Sequence, residues 1–399
     1  MSLTRLLDKK SLVVLGLNSG TSADGLDMVA LRFTSTKGNV RIRYLAGRRK
    51  RFDPDLKTRI HRLSDAKTVA LDQLVYLDNM LGVFFGRTAA SFMRFLALKG
   101  IAVDAIASHG QTVRHLPLKK KFGRYRVHGT LQLASPEQIS TRTGKVVVAD
   151  FRQADVALGG EGAPITVEAM CQLFADKKEP RLIVNLGGIA NYFYYPAAGS
   201  RNRISAGDCG PGNVLCDLLS LRLFGERYDR NGRRALSGVA SGRLLSVLLG
   251  REFFKQKDIS TGREDFGPDL AEEMLAFARR FHLKREDLLA TAAELTVAAI
   301  CHRLQMLIRR DRSIRKLYLT GGGARNKFFM RRLKEYLVDL DVGTVKELGF
   351  DPDLVEAASF AVMGHACLRS LVMPTRFDRR RVQAIQPVPG RIVQPPQRK

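Results

Sequence analysis

The apolar positions along the chain follow two periods. Short uninterrupted runs that stop at glycine-rich turns predict buried strands, and one long stretch at helical spacing predicts a helix. Leu12-Val13-Val14-Leu15-Gly16 and Met28-Val29-Ala30-Leu31-Arg32-Phe33 flank a polar segment, residues 18–27, so the chain opens strand, loop, strand. From 68 to 98 the stripe is Leu71, Leu74, Val75, Met80, Phe84, Phe85, Phe92, Phe95 and Leu96, which predicts a helix with this face in the core. Residues 101–107 predict a buried strand ending at Ser108-His109-Gly110, and 146–149 another ending at Asp150.

The opening arrangement recurs. Leu182-Ile183-Val184-Asn185-Leu186 runs into Gly187-Gly188 and then into 189–195, again strand, glycine turn, strand, which predicts two related lobes. A third glycine turn, Gly321-Gly322-Gly323, follows the strand Leu317-Tyr318-Leu319-Thr320 and precedes a helix beginning near Asn326. Glycine at such a turn lets backbone amides approach a ligand with no Cβ between, and a helix N-terminus favours an anion. Beyond Pro374 the chain is rich in Pro, Gln and Arg, and from about Pro387 it reads as an irregular tail.

Length and composition turn this pattern into an architecture. With 399 residues, 45% of them hydrophobic, the chain exceeds what a single core usually serves, and two domains are expected. Lys and Arg number 66 against 39 Asp and Glu, a net +27 that would draw anionic partners. The basic runs Arg48-Arg49-Lys50-Arg51, Lys119-Lys120-Lys121 and Arg379-Arg380-Arg381 sit in no nucleic-acid motif, so a generally basic surface is expected and no specific nucleic acid. Cys171, Cys209, Cys216, Cys301 and Cys367 form no CxxC pair, which suggests neither a zinc knuckle nor a disulfide framework and suits a reducing compartment. No stretch approaches the roughly 20 apolar residues of a membrane span. The short run after Lys9-Lys10 carries no cleavage site, so cytoplasmic residence without a membrane partner is expected.

Several segments carry candidate chemistry. Gly16-Leu17-Asn18-Ser19-Gly20-Thr21-Ser22-Ala23-Asp24-Gly25-Leu26-Asp27 sets glycines, hydroxyls and two carboxylates between strands. It suits a phosphate cradle in which Asp24 or Asp27 holds magnesium through water, and equally an ordinary polar hairpin loop. It is no Walker loop, since the closing lysine is missing. Gly207-Asp208-Cys209-Gly210-Pro211-Gly212-Asn213 follows a strand and opens a helix over 214–223, where Asp208 is either a base in a cleft or a turn aspartate. Ser108-His109-Gly110-Gln111-Thr112-Val113-Arg114-His115 ends a strand, where loops of α/β folds bind ligands. His109 there is a hydrogen-bonding group or a structural histidine, with no partners at metal-ligand spacing. Asp150-Phe151-Arg152-Gln153-Ala154-Asp155 and Gly159-Gly160-Glu161-Gly162-Ala163-Pro164 join a strand end to a glycine-rich loop, with an arginine able to grip an oxyanion; a plain surface loop reads the same way.

Taken in order, the motifs GLNSGTSADGLD, ASHGQTVRH, VVADFRQAD, GGEGAP, NLGGIAN, GDCGPGN, STGRE, TGGGARN and EAASFA resemble the anhydro-N-acetylmuramic acid kinase family of the acetate and sugar kinase, actin-like superfamily, from residue 16 to 361. The resemblance implies an α/β fold of two ribonuclease H-like lobes with a central cleft for nucleotide and substrate. The first lobe is expected over 1–150 and the second over 151–399, with a last helix near 355–372 as a candidate for packing back on the first. It implies ATP and Mg2+, with Gly20, Thr21, Ser22, Asp24, Gly25 and Asp27 on the phosphates, Asp24 at the metal, and Gly187 and Gly188 facing them. Gly321, Gly322, Gly323 and Asn326 are implied near the adenosine. His109, Gln111, Thr112, Arg152, Asp155, Gly162, Ala163, Pro164 and Glu356 are implied on the sugar side, and Asp208 as the base that activates water. In that family water opens the 1,6-anhydro bond while O6 takes the γ-phosphoryl group, giving N-acetylmuramic acid 6-phosphate and ADP in peptidoglycan recycling; a homodimer is also implied. Phosphoryl transfer asks mainly for positioning and charge neutralisation, and water attack for one carboxylate, because the departing O6 is captured by phosphorus.

Family members commonly read SGTSLDG, DFRRRD and GGQGAPLVPAFH, where this chain has Ala23, Gln153 with Ala154, Glu161, and Ile165-Thr166-Val167-Glu168-Ala169-Met170. Two arginines fewer and one carboxylate more beside the sugar weaken the expected hold on a lactyl carboxylate. A kinase of the same fold for a different sugar or anhydrosugar is therefore the alternative. A catalytically silent, nucleotide-responsive or nucleic-acid-binding protein is supported by the +27 alone, against the retention of Asp24, Asp208 and three glycine turns.

Overall fold

The computed structural model describes residues 3–36, 39–255, 265–373 and 388–396, so the STGRE motif at 260–264 and the run Arg379-Arg380-Arg381 lie outside the described residues. In chain order the strands are β1 (Ser11–Ser19), β2 (Gly25–Thr36), β3 (Asn39–Arg51), β4 (Ala105–Phe122), β5 (Tyr125–Leu133), β6 (Val146–Ala149), β7 (Arg181–Leu186), β8 (Ile189–Tyr195), β9 (Ser205–Pro211), β10 (Lys316–Thr320), β11 (Asp341–Thr344) and β12 (Arg391–Val393). The chain divides into two compact units, Met1–Leu173 with Leu354–Lys399, and Phe174–Asp353.

Each unit is built on one sheet. In the first the order is β12-β6-β4-β1-β2-β3, with β5 paired to β4. There β1, β4 and β6 run parallel, and β2 is antiparallel to both β1 and β3. In the second the order is β11-β10-β7-β8-β9, with β7, β10 and β11 parallel and β8 antiparallel to its neighbours. Set aside β5 and the edge strand β12, and both sheets hold their strands in the same order and sense, the ribonuclease H-like arrangement. The repeated strand, turn, strand pattern is the first hairpin of each sheet.

Strand β1 is buried on both faces, as a strand at the centre of an α/β layer must be. Its odd positions Val13, Leu15 and Leu17 share a core with Leu77, Leu81, Phe85, Phe92 and Leu96 of helix Leu71–Ala97. Helix Val355–Leu368 packs on β1, β2 and β4 and buries every residue except Glu356. Small residues set that contact, since a Cβ on Gly16 would stand 1.9 Å from the Ala357 carbonyl oxygen, and one on Gly364 2.4 Å from the Ala107 Cβ. In the second unit helix Arg285–Arg310 lies in the core, and its Thr296 hydroxyl donates to the Gly212 carbonyl at 3.0 Å.

Three local expectations need correction. Leu71, Val75, Met80 and Phe95 are exposed, because helix Leu71–Ala97 has only one side against the sheet. Strand β4 starts at Ala105 and does not end at Ser108: antiparallel pairing with β5 takes over where parallel pairing with β1 and β6 stops, and the strand continues to Phe122. Asp208 lies inside β9 and not at a turn after it.

Candidate active site

In the first unit the motifs meet at the carboxyl ends of β1, β4 and β6, where an α/β sheet leaves backbone ends free for ligands. The loop after β1 is held from below by Gln111. Ser19 Oγ donates to Gln111 Oε1 at 2.5 Å, and Gln111 Nε2 donates to the carbonyls of Gly20 at 3.2 Å and Thr112 at 3.1 Å. With its side chain so engaged and buried, Gln111 shapes the loop. A turn closes from the Ala23 amide to the Gly20 carbonyl at 3.0 Å, leaving Thr21, Ser22 and Asp24 exposed. Burial tends to raise the Asp24 pKa, but Lys57 and the Ser22 hydroxyl outweigh it and hold the carboxyl below its usual range. Asp27 is buried and accepts from Arg49 Nε and, at 2.7 Å, from Nη2.

The same end of this unit gathers His109, Arg152, Asp155, Gly162, Asn18 and Glu356. Arg152 donates through Nε to His109 Nε2 at 2.9 Å and through Nη1 to the Gly162 carbonyl at 2.5 Å. Burial pulls the guanidinium pKa down to about 10, with Glu356 and Asp155 acting against it, so Arg152 is a cation at neutral pH. His109 is stacked on Phe360 with ring centroids 4.4 Å apart and lies 3.2 Å through Nδ1 from the Gly110 carbonyl. Burial and then the Arg152 charge push its pKa well down, so the ring is neutral, with the proton on Nδ1 and the Nε2 lone pair facing Arg152. Asp155 is buried and takes the Gly162 amide at 2.7 Å, which clamps the loop that carries Ala163 and Pro164, joined by a cis bond. Glu356, exposed at the start of its helix, accepts from Asn18 Nδ2 at 2.8 Å. Thr112 accepts from Gln132 at 3.1 Å.

The second unit brings its own three glycine segments to the carboxyl ends of β7 and β10. The amides of Gly212 and Asn213 donate to the carbonyls of Gly188 at 2.9 Å and Gly187 at 2.8 Å, and Asn213 Nδ2 reaches the Leu186 and Gly187 carbonyls. Gly321 has φ +81° and its amide donates to the Pro352 carbonyl at 2.8 Å; a Cβ there would stand 2.5 Å from Asn185 Oδ1. Asn326 caps helix Lys327–Tyr336, its Oδ1 accepting the Phe328 amide at 2.9 Å. Asp208 is half-buried and accepts from Asn191 Nδ2. Ala190 pairs with Gly210 and Asn191 with Asp208, so Cys209 is the extra residue of a β-bulge, a device that re-aims the adjacent side chain.

Gly20, Gly188 and Gly322, one in each of three turns, share a property. A Cβ on any of them would meet no atom within 4 Å, so packing within the chain does not account for their lack of a side chain. Open backbone of this kind leaves room for a phosphate against the amides, as it does at Gly129 and Gly242. Among the described residues no group of three His, Cys, Asp or Glu is placed to hold a metal. One carboxylate such as Asp24 together with ligand phosphates is enough for magnesium, which keeps most of its waters.

The family model for anhydro-N-acetylmuramic acid kinase matches residues 12–377. The chain belongs to the anhydro-N-acetylmuramic acid kinase family. Curated relatives of that name include those of Caldanaerobacter subterraneus, 32% identical with 90% of this chain and 92% of the relative covered, and Salinibacter ruber, 35% identical with 88% and 89% covered. The Trichormus variabilis protein is 36% identical, with 88% and 90% covered.

Seen as a member of the anhydro-N-acetylmuramic acid kinase family, the chain uses residues that the motif reading passed over. Asn18 ties Glu356 to the first strand, Asn191 holds Asp208, and Phe360 backs His109. Asn191 carries a signal in the sequence, an amide among the apolar and aromatic positions of β8, whereas Asn18 reads as part of the polar segment 18–27. Lys57 and Arg49, which pair with Asp24 and Asp27, come from outside every motif and had no such signal.

Proposed function

We propose that the chain is an ATP-dependent kinase that opens 1,6-anhydro-N-acetylmuramic acid with water and phosphorylates its O6, giving N-acetylmuramic acid 6-phosphate and ADP in peptidoglycan recycling. The observation that carries this reading is the family match over residues 12–377, which takes in every strand-end loop described above. Asp208 takes a proton from water as the water oxygen adds to the anomeric carbon. The bond from that carbon to O6 breaks, O6 bonds to the γ-phosphorus, and ADP leaves; one carboxylate suffices because phosphorus, not an acid, receives O6. Asn191 orients the carboxylate. Arg152, held as a cation by its neighbours and steered by a neutral His109, binds an oxyanion or hydroxyl of the sugar, with Glu356 accepting from another hydroxyl. Thr112, Ala163 and Pro164 complete the sugar side, with Gln111, Asp155 and Gly162 positioning the loops.

The loop of Gly20, Thr21, Ser22 and Gly25, with Gly187 and Gly188, takes the phosphates of ATP, and Gly321, Gly322, Gly323 and Asn326 the adenosine side. Asp24 would hold Mg2+ through water, with Asp27 securing the loop; the ion supplies charge neutralisation on the phosphates. Five cysteines free of disulfides fit a reducing cytoplasm, and no helix among the described residues is long and apolar enough to cross a membrane. A homodimer with no specific nucleic-acid partner completes the proposal.

One observation favours a second reading, a kinase for a different anhydrosugar. Gln153 Nε2 donates to the Thr130 carbonyl at 3.0 Å, so at this position the side chain serves the protein. The test is ADP release with 1,6-anhydro-N-acetylmuramic acid and with the analogue lacking the lactyl group, with mass analysis of the product. The proposal expects turnover of the muramic compound and a product heavier by one water and one phosphoryl group. Turnover of the analogue alone supports the second reading, and turnover of neither overturns the proposal.

A further inference from the structure

Beside helix Leu71–Ala97 the first unit carries an open groove that takes no part in the proposed reaction. Strands β2 and β3, helix Pro54–Asp65 and helix Leu71–Ala97 border about 1060 Å3. The floor is apolar, with Met80, Phe84 and Phe92, and Phe84 sits edge-on to Phe52 at 5.1 Å. The rim is cationic, with Arg48, Lys50 and Arg87. Exposed apolar surface of this kind, bordered by charge, marks a binding site more often than chance.

The groove's own acids do not neutralise that rim. Asp53 caps its helix by accepting the Leu56 amide at 2.9 Å, and Asp55 pairs with Arg59 at 2.8 Å. Arg48 lies 5.6 Å from the Phe95 ring centroid, while Lys50 and Arg87 are exposed and without an ion-pair partner among the described residues. An apolar floor beneath such cations selects a molecule with one anionic group on an apolar body: burial of the body gives affinity and the cations orient the head. A second copy of this face would set like charges against each other.

We propose that this groove binds an amphipathic small-molecule anion, a carboxylate, sulfonate or phosphate on an alkyl or aromatic body. Arg49 and Met28 also border it, and Arg49 is the partner of Asp27 at the end of the loop after β1. A bound head group therefore adds negative charge beside the Arg49–Asp27 pair, so that occupancy bears on the loop.

The probe is 1-anilinonaphthalene-8-sulfonate, an anionic dye that brightens in apolar surroundings, titrated into the full chain with dodecanoate as competitor. The expected result is a saturable enhancement displaced by dodecanoate. In the K50E/R87E protein, where two exposed cations are reversed, affinity falls by roughly tenfold or more. Met80→Asp, which puts a carboxylate on the floor, removes the enhancement while far-ultraviolet circular dichroism stays native. No saturable enhancement in the native chain, or equal affinity in K50E/R87E, overturns the proposal. So does light scattering that shows a dimer from which the dye is excluded, since the face then serves self-association.

Discussion

Arg152 donates through Nε to His109 Nε2 at 2.9 Å, and this one bond fixes the protonation of both side chains. A donor aimed at Nε2 requires a lone pair there, so His109 stays neutral and Arg152 keeps its direction. Arg152→Lys offers a single nitrogen that cannot also reach the Gly162 carbonyl, 2.5 Å from Nη1. The expected outcome is a KM for the sugar raised by roughly tenfold with the KM for ATP unchanged, read from initial rates.

Acidification should destabilise the fold through its buried histidines. Burial and the nearby Arg369 charge lower the His365 pKa to about 4, and His109 is pushed in the same direction by burial and Arg152. The unfolded chain then binds more protons than the folded one below the ordinary histidine value. Stability is full above pH ~6.5 and falls toward pH 4, by on the order of 1 kcal/mol per pH unit for each histidine. Thermal melts across that range should show the loss. His365→Phe, which keeps the stack on Phe33 at 4.2 Å, should flatten part of it.

The open glycines separate ligand space from packing space. Gly20→Ala, Gly188→Ala and Gly322→Ala should each leave the melting temperature unchanged and raise the KM for ATP, because nothing in the chain stands within 4 Å of the new Cβ. Gly321→Ala should lower stability by about 1–3 kcal/mol, given φ +81° and an Asn185 oxygen 2.5 Å from the added carbon. Melting curves beside ATP titrations distinguish the two classes.

The two loop carboxylates should also differ. Asp24→Asn, at an exposed position, is expected to raise the magnesium needed for half-maximal turnover with no change in melting. Asp27→Asn breaks the buried end of the Arg49 pair and is expected to lower the melting temperature. Magnesium titrations and melts on both proteins check this.

Strand-turn-strand repeats and the glycine turns were legible in the sequence because buried strands and sharp turns restrict residue types strongly. Both hairpins and the helix over Leu71–Ala97 follow from that periodicity. The orientation of the helix did not, since Met80 and Phe95 obey the same spacing as Phe92 yet stand outside the core. Nor did the place of Asp208, because a β-bulge at Cys209 depends on pairing with β8, and pairing partners leave no local mark. The link from Asn18 to Glu356 crosses 338 positions of sequence, beyond any local pattern. The ordered motifs singled out Asp208 and Glu356, which spacing alone did not.

Asp208 itself offers the sharpest test. The native chain and Asp208→Asn are compared for ADP release with 1,6-anhydro-N-acetylmuramic acid and ATP in oxygen-18 water. The expected result is native turnover with the heavy oxygen at the anomeric carbon, and loss of turnover by on the order of a hundredfold or more in Asp208→Asn at an unchanged melting temperature. Undiminished turnover in Asp208→Asn would contradict the assignment of this carboxylate as the base that activates water.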